Sequence, residues 1–301
     1  MAVRALALLL PCFLWPLSAL ALAQGSAATP TAEGIMARVA SNQDRSEAER
    51  VHYVYLQHAD VTSRKGQKVM CEEVTDARVT PSDTGSHVQV LTFAGRMLQR
   101  NKYVNYAAPL KGNDDSSIID SSRDGVTINI GDDDREMVES MRLSLTRDKS
   151  KDGINKGLFP LTTASQGEYQ FHLVGHERMN GRDVFHIEFR PKDKNDYSWK
   201  GDAYIDAAAY QPVVVSTSMS RKLPLEVRAL LGTGAPGLGF TVAYAPQPDG
   251  VWFPVSFGTE FKIRVLFFYT REVLIDAQNR DFEKTHVSSK IVGEPVESKA
   301  P

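Results

Sequence analysis

Cysteine is almost missing from this 301-residue chain, which holds only Cys12 and Cys71. Cys12 lies in an apolar N-terminal stretch, so loss of that stretch leaves one thiol and no intramolecular disulfide, and the fold must hold by its core. An excess of either charge is also missing: 35 Lys and Arg against 37 Asp and Glu give a net charge of −2. The basic side chains are scattered, without the stripe that nucleic acid requires. After the N-terminus there is no second hydrophobic span. Nor does the chain carry a Gly-x-Ser-x-Gly elbow, a His-Glu-x-x-His helix or the surroundings of a nucleophilic cysteine. Cys71 stands beside Glu72 and Glu73, neighbours that raise a thiol pKa and do not activate it. These absences disfavour catalysis and leave no cofactor to expect.

The N-terminus is the first positive signal. Arg4 precedes an apolar run, Ala5 to Ala23, broken by Pro11 and Pro16 and ending Ala21-Leu22-Ala23. The prolines and small terminal residues suit a cleaved secretory signal over 1–23 better than an uncleaved anchor, although the run is nearly long enough to span a bilayer. Pro11 directly before Cys12 argues against lipid attachment there. One domain over 24–293 follows, and the polar 294–301 tail, with two prolines, is expected to be disordered.

The body of the chain reads as a meander. Between Gly181 and Phe282, Gly, Pro and Asp clusters cut a series of β-type segments. Phe185, Ile187 and Phe189 alternate with His186 and Glu188, which makes a strand with one wet side. Trp199 to Asp206 reverses through Ala207 to Pro212 into Val213 to Met219, a hairpin, and Phe261 to Tyr269 alternates again at its start. Upstream, strands are expected at Val51–Val61, Lys68–Val79, His87–Leu98, Tyr103–Ala107 and Val126–Ile130.

Three helices are expected beside about ten strands. Thr31 caps a short one bearing Ile35, Met36 and Val39; Asp132-Asp133-Asp134 opens a second running to about Asp148, with basic residues at its far end. A third spans Pro224 to Leu231. Most strands have one apolar face, which two stacked sheets or helices over a curved sheet would cover.

Local motifs for chemistry are weak. Gly232 to Gly237 fits G-x-G-x-x-G, but a helix precedes it and a strand follows, the reverse of a nucleotide site. His172 and His176 are four apart with Gly175 between them and no third ligand of clear spacing, so no metal is expected. The aspartate triplet lacks calcium-loop spacing and suits a helix cap. What remains is the apolar set Phe171, Phe185, Ile187, Phe189, Val242, Tyr244, Phe253, Phe257, Phe261 and Ile263, either packed core or the lining of a cavity. Met137, Met141, Leu225 and Leu230 are the candidates for a mobile cover over it.

In pattern and order of segments, from the helix near Ile35 to Ile291, the chain resembles the LolA-like family of periplasmic lipoprotein-sorting proteins. The resemblance implies a mainly β, α+β fold in which a strongly curved antiparallel sheet forms a half-open barrel covered by about three helices. It further implies a non-enzymatic carrier of lipid or lipoprotein acyl chains in the periplasm, with membrane-associated donor or acceptor proteins as partners. The rival expectation is an envelope sensor that binds a partner protein.

Overall fold

The structure is a computed structural model describing residues 30–82, 85–109, 119–122, 125–128, 133–146, 160–195, 198–220, 239–265 and 269–285. Helix α1 (Ala32–Arg50) starts where Thr31 accepts a hydrogen bond from the Gly34 amide at 3.1 Å. Its apolar stripe of Ile35, Met36 and Val39 is buried, and at 19 residues it is far longer than the short helix expected.

Four strands follow in a meander: β1 (Tyr53–Lys65), β2 (Lys68–Ser82), β3 (Gly85–Gln99) and β4 (Lys102–Tyr106). The β3–β4 reversal places Arg100 and Asn101 at φ of 46° and 66°, two consecutive left-handed residues that match the twist of a tight hairpin. A separate two-stranded ribbon, β5 (Ile119–Ser122) with β6 (Gly125–Ile128), precedes α2 (Asp134–Thr146) and the single turn α3 (Thr163–Gln166). The expected helix at Pro224 to Leu231 lies outside the described residues, as do the Gly232 to Gly237 loop and the N-terminal apolar run.

The second meander comprises β7 (Tyr169–Met179), β8 (Arg182–Pro191), β9 (Trp199–Asp206), β10 (Pro212–Met219), β11 (Thr241–Pro246), β12 (Trp252–Val265) and β13 (Tyr269–Lys284). Asn180-Gly181 forms the β7–β8 turn with φ of 51° and 79°. β7 runs to Met179, past a register shift between Leu173 and Gly175.

Both meanders belong to one curved, unclosed antiparallel sheet of eleven strands, in the order β4-β3-β2-β1-β13-β12-β11-β10-β9-β8-β7. The junction is β1 against β13, with Val61 opposite Ile275 and Ala59 opposite Ala277. Among the described residues, β4 and β7 each pair on one side only. The expected half-open sheet with helices over it is therefore what forms.

Close backbone approach sets some positions. A Cβ on Gly201 in β9 would fall on the Ser216 carbonyl oxygen of β10, whereas one on Gly258 in β12 would meet nothing nearer than the Ile275 carbonyl at 3.8 Å. Gly201→Ala should cost about 1–3 kcal/mol through forced backbone displacement, and Gly258→Ala should stay within about 0.5 kcal/mol of the parent. Urea unfolding of the two variants side by side measures both.

Candidate functional site

Because side chains alternate along a strand, pairing register propagates a single face across the whole sheet. One row runs from Val215 to Val242, Phe257, Ala277, Ala59, Thr75 and Phe93; the next joins Thr259, Ile275, Val61, Glu73, Gly95 and Tyr106. Helix α1 packs against the side chains of this face at one end and α2 at the other, so it is the inner face.

The α1 half is apolar. Ile35, Met36 and Val39 pack with Phe185, Ile187 and Phe189 of β8, Val215 of β10, and Val242 and Tyr244 of β11, all buried. Polar bonds at the C-terminal half of α1 fix its seat. Asn42 donates to the carbonyls of Ala209 and Tyr210 at 2.9 and 3.1 Å, and Gln211 donates to Ser46 at 3.1 Å. Arg50, fully buried, donates from Nε to the Trp252 carbonyl at 2.6 Å and from Nη2 to Gln43 at 3.1 Å. These ties attach α1 to β12 and to the β9–β10 turn together.

The α2 half is built from charge. Asp133 Oδ1 accepts the amides of Arg135 and Glu136 at 2.8 and 2.9 Å, so the aspartate run caps the helix, as its position before an apolar stripe implies. Asp134 takes a bidentate pair from Arg271 of β13 at 2.6 and 2.9 Å and a hydrogen bond from Ser63 at 2.8 Å. Two turns later, Arg142 Nε donates to the buried Glu73 of β2 at 2.9 Å, while Arg142 Nη2 lies 3.6 Å from the equally buried Glu139. Tyr106 donates to the other Glu73 oxygen at 2.9 Å and touches Cys71 Sγ at 3.2 Å.

Electrostatics in this half follow from dehydration. Burial pushes the Glu73 carboxyl above its usual value despite the Arg142 and Tyr106 bonds, with Glu139 adding to the rise. Burial likewise drives the Cys71 thiol up to about 12, with Glu73 opposing its ionisation, so the thiol is inert, in line with its acidic neighbours in sequence. Tyr106 is raised by the same dehydration.

The residues expected to line an apolar interior fall into three groups. Phe185, Ile187, Phe189, Val242 and Tyr244 form one cluster under α1, with Phe171 and Phe257 half-buried at its border. Phe253 is buried in a second cluster with Tyr53, Tyr55 and Val79, its ring 4.8 Å from that of Tyr53. The side chains of Phe261 and Ile263 lie outside the described residues, together with Leu225 and Leu230. Met137 and Met141 are buried on α2, beside Glu139 and Arg142. His172 and His176 are both exposed; His176 lies edge-on to Phe185 at 4.4 Å, and among the described residues no group of metal-ligating side chains gathers.

Sequence reading missed the Glu73–Arg142 and Asp134–Arg271 pairs. Their only trace is a charged residue at an inward position of an alternating strand, Glu73 in β2 and Arg271 in β13.

No family model and no curated protein matches the sequence. Among solved structures, the chain is similar to a domain described as an outer-membrane lipoprotein-sorting protein from Vibrio parahaemolyticus, at 12% identity over 85% of this chain and 95% of that one, TM-score 0.39. It is also similar to a DUF1329-family protein from Desulfovibrio piger, at 13% identity over 86% and 95%, TM-score 0.38. A LolA-superfamily protein from Nitrosomonas europaea matches at 10% identity over 88% and 99%, TM-score 0.33. At such identities and TM-scores the likeness decides nothing about ligand or activity.

Removing the guanidinium strands two buried carboxylates. Arg142→Leu should therefore cost about 3–5 kcal/mol, read by chemical denaturation. The pH dependence has a definite sign. With the folded Glu73 value above the ordinary 4.5, the native state keeps a proton that the unfolded chain has released. Its stabilising effect is complete below 4.5 and is lost as pH rises through the folded value. Glu73→Gln should flatten this fall in stability in melts taken from pH 4.5 towards neutrality.

Proposed function

We propose that this protein is a non-enzymatic carrier that shields the acyl chains of a lipid or lipoprotein on the inner face of its half-open sheet and passes them toward an outer membrane. One observation carries the reading. Apolar side chains of the inner face are incompletely covered towards both free edges of the sheet. On β7, Phe171 and Leu173 are half-buried; on β3 and β4, Val90 and Val104, inward by register opposite Ala77 and Met97, remain 47% and 45% exposed. Apolar surface left open beside a packed core is where a hydrophobic ligand gains most. The Arg4 to Ala23 segment supports export to the periplasm as a cleaved signal peptide, and no helix among the described residues is long and apolar enough to cross a membrane.

A second reading, an envelope sensor that binds a partner protein, is favoured by one feature. Leu91 and Tyr103 are also 45% and 48% exposed on β3 and β4, so the edge presents apolar side chains on more than its inner face.

The discriminating experiment is native mass spectrometry of protein purified from its secretory compartment, before and after solvent extraction, followed by titration with fatty acids of increasing length. A carrier co-purifies with a removable hydrophobic mass. Affinity should then rise by about 0.8 kcal/mol per methylene, or about fourfold. Ligand-free protein with affinity flat across the series refutes the carrier, and co-purification of one stoichiometric envelope protein supports the sensor.

A further inference from the structure

Around the seam of the sheet, inward polar side chains find partners. On β1, Gln57 donates to Asn279 of β13 at 3.0 Å and Ser63 to Asp134 at 2.8 Å. On β2, Glu73 accepts from Arg142 and Tyr106, and on β13 Arg271 donates to Asp134. Thr75 of β2 stands apart. It is inward by register, opposite Ala59 of β1 and Phe93 of β3, and only 2% exposed, yet its hydroxyl has no hydrogen-bond partner in the protein. A buried hydroxyl left unsatisfied is destabilising, and valine would occupy the same strand position without that penalty.

The surroundings give this hydroxyl a direction. Along β3 the inward residues Val88, Val90 and Phe93 form an apolar strip that faces Val79, Ala77 and Thr75 of β2. The strip is partly exposed, most at Val90, with Phe93 half-buried. It ends at the next row, where Glu73, Gly95 and Tyr106 lie side by side and Arg142 reaches in from α2, its guanidinium 5.2 Å from the centre of the Phe93 ring. Thr75 is therefore the last inward residue of β2 before the charged seat of α2. An apolar strip ending at an unsatisfied hydroxyl matches an alkyl chain ending at a polar atom.

We propose that Thr75 donates to the carbonyl oxygen of a neutral acyl group, ester or amide, whose alkyl chain lies along Val90 and Phe93. The proposal rests on the carrier reading and adds the chemical class at the head of the chain. A carbonyl oxygen accepts and needs a donor, and the side chains of Ala59, Ala77 and Phe93 offer no acceptor to compete for the hydroxyl. Both oxygens of Glu73, two residues along, are already engaged by Arg142 and Tyr106. A free carboxylate fits poorly here. One neutral hydroxyl does not offset the dehydration of a charge, and Glu73 and Glu139 are already buried around Arg142.

1-Dodecanoylglycerol and 1-O-dodecylglycerol differ at the carbonyl alone, and displacement of the neutral dye N-phenyl-1-naphthylamine from delipidated protein ranks them. The parent should bind the ester about fivefold more tightly than the ether, the contribution of one hydrogen bond, and should bind dodecanoate more weakly than the ester. Thr75→Val should bring the ester down to the level of the ether, leave the ether within about twofold of its parent value, and raise the urea midpoint of the ligand-free protein. Thr75→Ser, which keeps the hydroxyl, should keep the preference. Should Thr75→Val fail to fold, Thr75→Ala removes the same hydroxyl and is read in the same way. An N-dodecanoyl dipeptide amide titrated alongside separates the sources: a loss greater for the amide assigns the carbonyl to an acylated protein, and one greater for the ester to an acylglycerol lipid.

Undiminished affinity for both ester and amide in the variant lacking the hydroxyl overturns the proposal and leaves the carrier standing. An equal loss for the ether does the same, because it makes Thr75 a packing position. Failure of the parent to bind any of these chains overturns the carrier reading and this contact with it.

Discussion

Antiparallel pairing of β1 with β13 is the constraint on which the rest of the molecule depends. It joins residues as far apart in sequence as Gln57 and Asn279, 222 positions, whose side chains bond across the seam at 3.0 Å. Each meander alone would be a short sheet with an open apolar face. Paired through β1 and β13, they become a single wall whose register fixes which side chain of every strand points inward. A slip of one residue at this seam would turn Val61 and Ala59 outward and bring Asp60 and Thr62 to the inside.

Two helices finish the inner face by different physics. α1 is seated by apolar burial, trimmed with backbone-directed bonds from Asn42 and Arg50. α2 is held by two buried ion pairs of opposite sense, helix carboxylate to sheet guanidinium at Asp134–Arg271 and helix guanidinium to sheet carboxylate at Arg142–Glu73. Reversed polarity at the two ends makes any other docking of α2 bring like charges together. Such pairs contribute little net stability once dehydration is counted, and their effect here is to specify position. An apolar seat tolerates sliding that a crossed pair of charges does not.

Coverage is deliberately incomplete in this geometry. Eleven strands curve without β4 pairing with β7 among the described residues, and near the two edges Phe171 and Leu173 on β7 and Val90 and Val104 on β3 and β4 stay partly exposed. Those partly exposed apolar stretches are what the carrier reading rests on.

Much of the strand pattern was legible because alternation is a local property. Phe185, Ile187 and Phe189 announce their shared face in five residues, and Asn180-Gly181 announces its turn in two. The cap of α2 was equally local, since aspartate side chains reach amides only two or three residues on. The length of α1 was not, because Gln43, Ser46 and Arg50 look like a solvated stretch until Gln211 and Trp252, far along the chain, supply their partners. The same holds for Glu73, which sequence presents as an anomaly in a strand and the fold presents as the partner of Arg142. Nor could alternation tell that Phe253 joins Tyr53 and Tyr55 while Phe257 borders the other cluster, since both positions are apolar and only the β11–β12 register shift separates them. The sequence by itself determined most of the strands, their faces and the lack of disulfide or catalytic signatures, all of which depend on neighbours a few residues away. The tertiary structure alone decided which strands meet, where the wall stays open and which charges are neutralised in the interior, because those depend on contacts between residues that the chain keeps far apart.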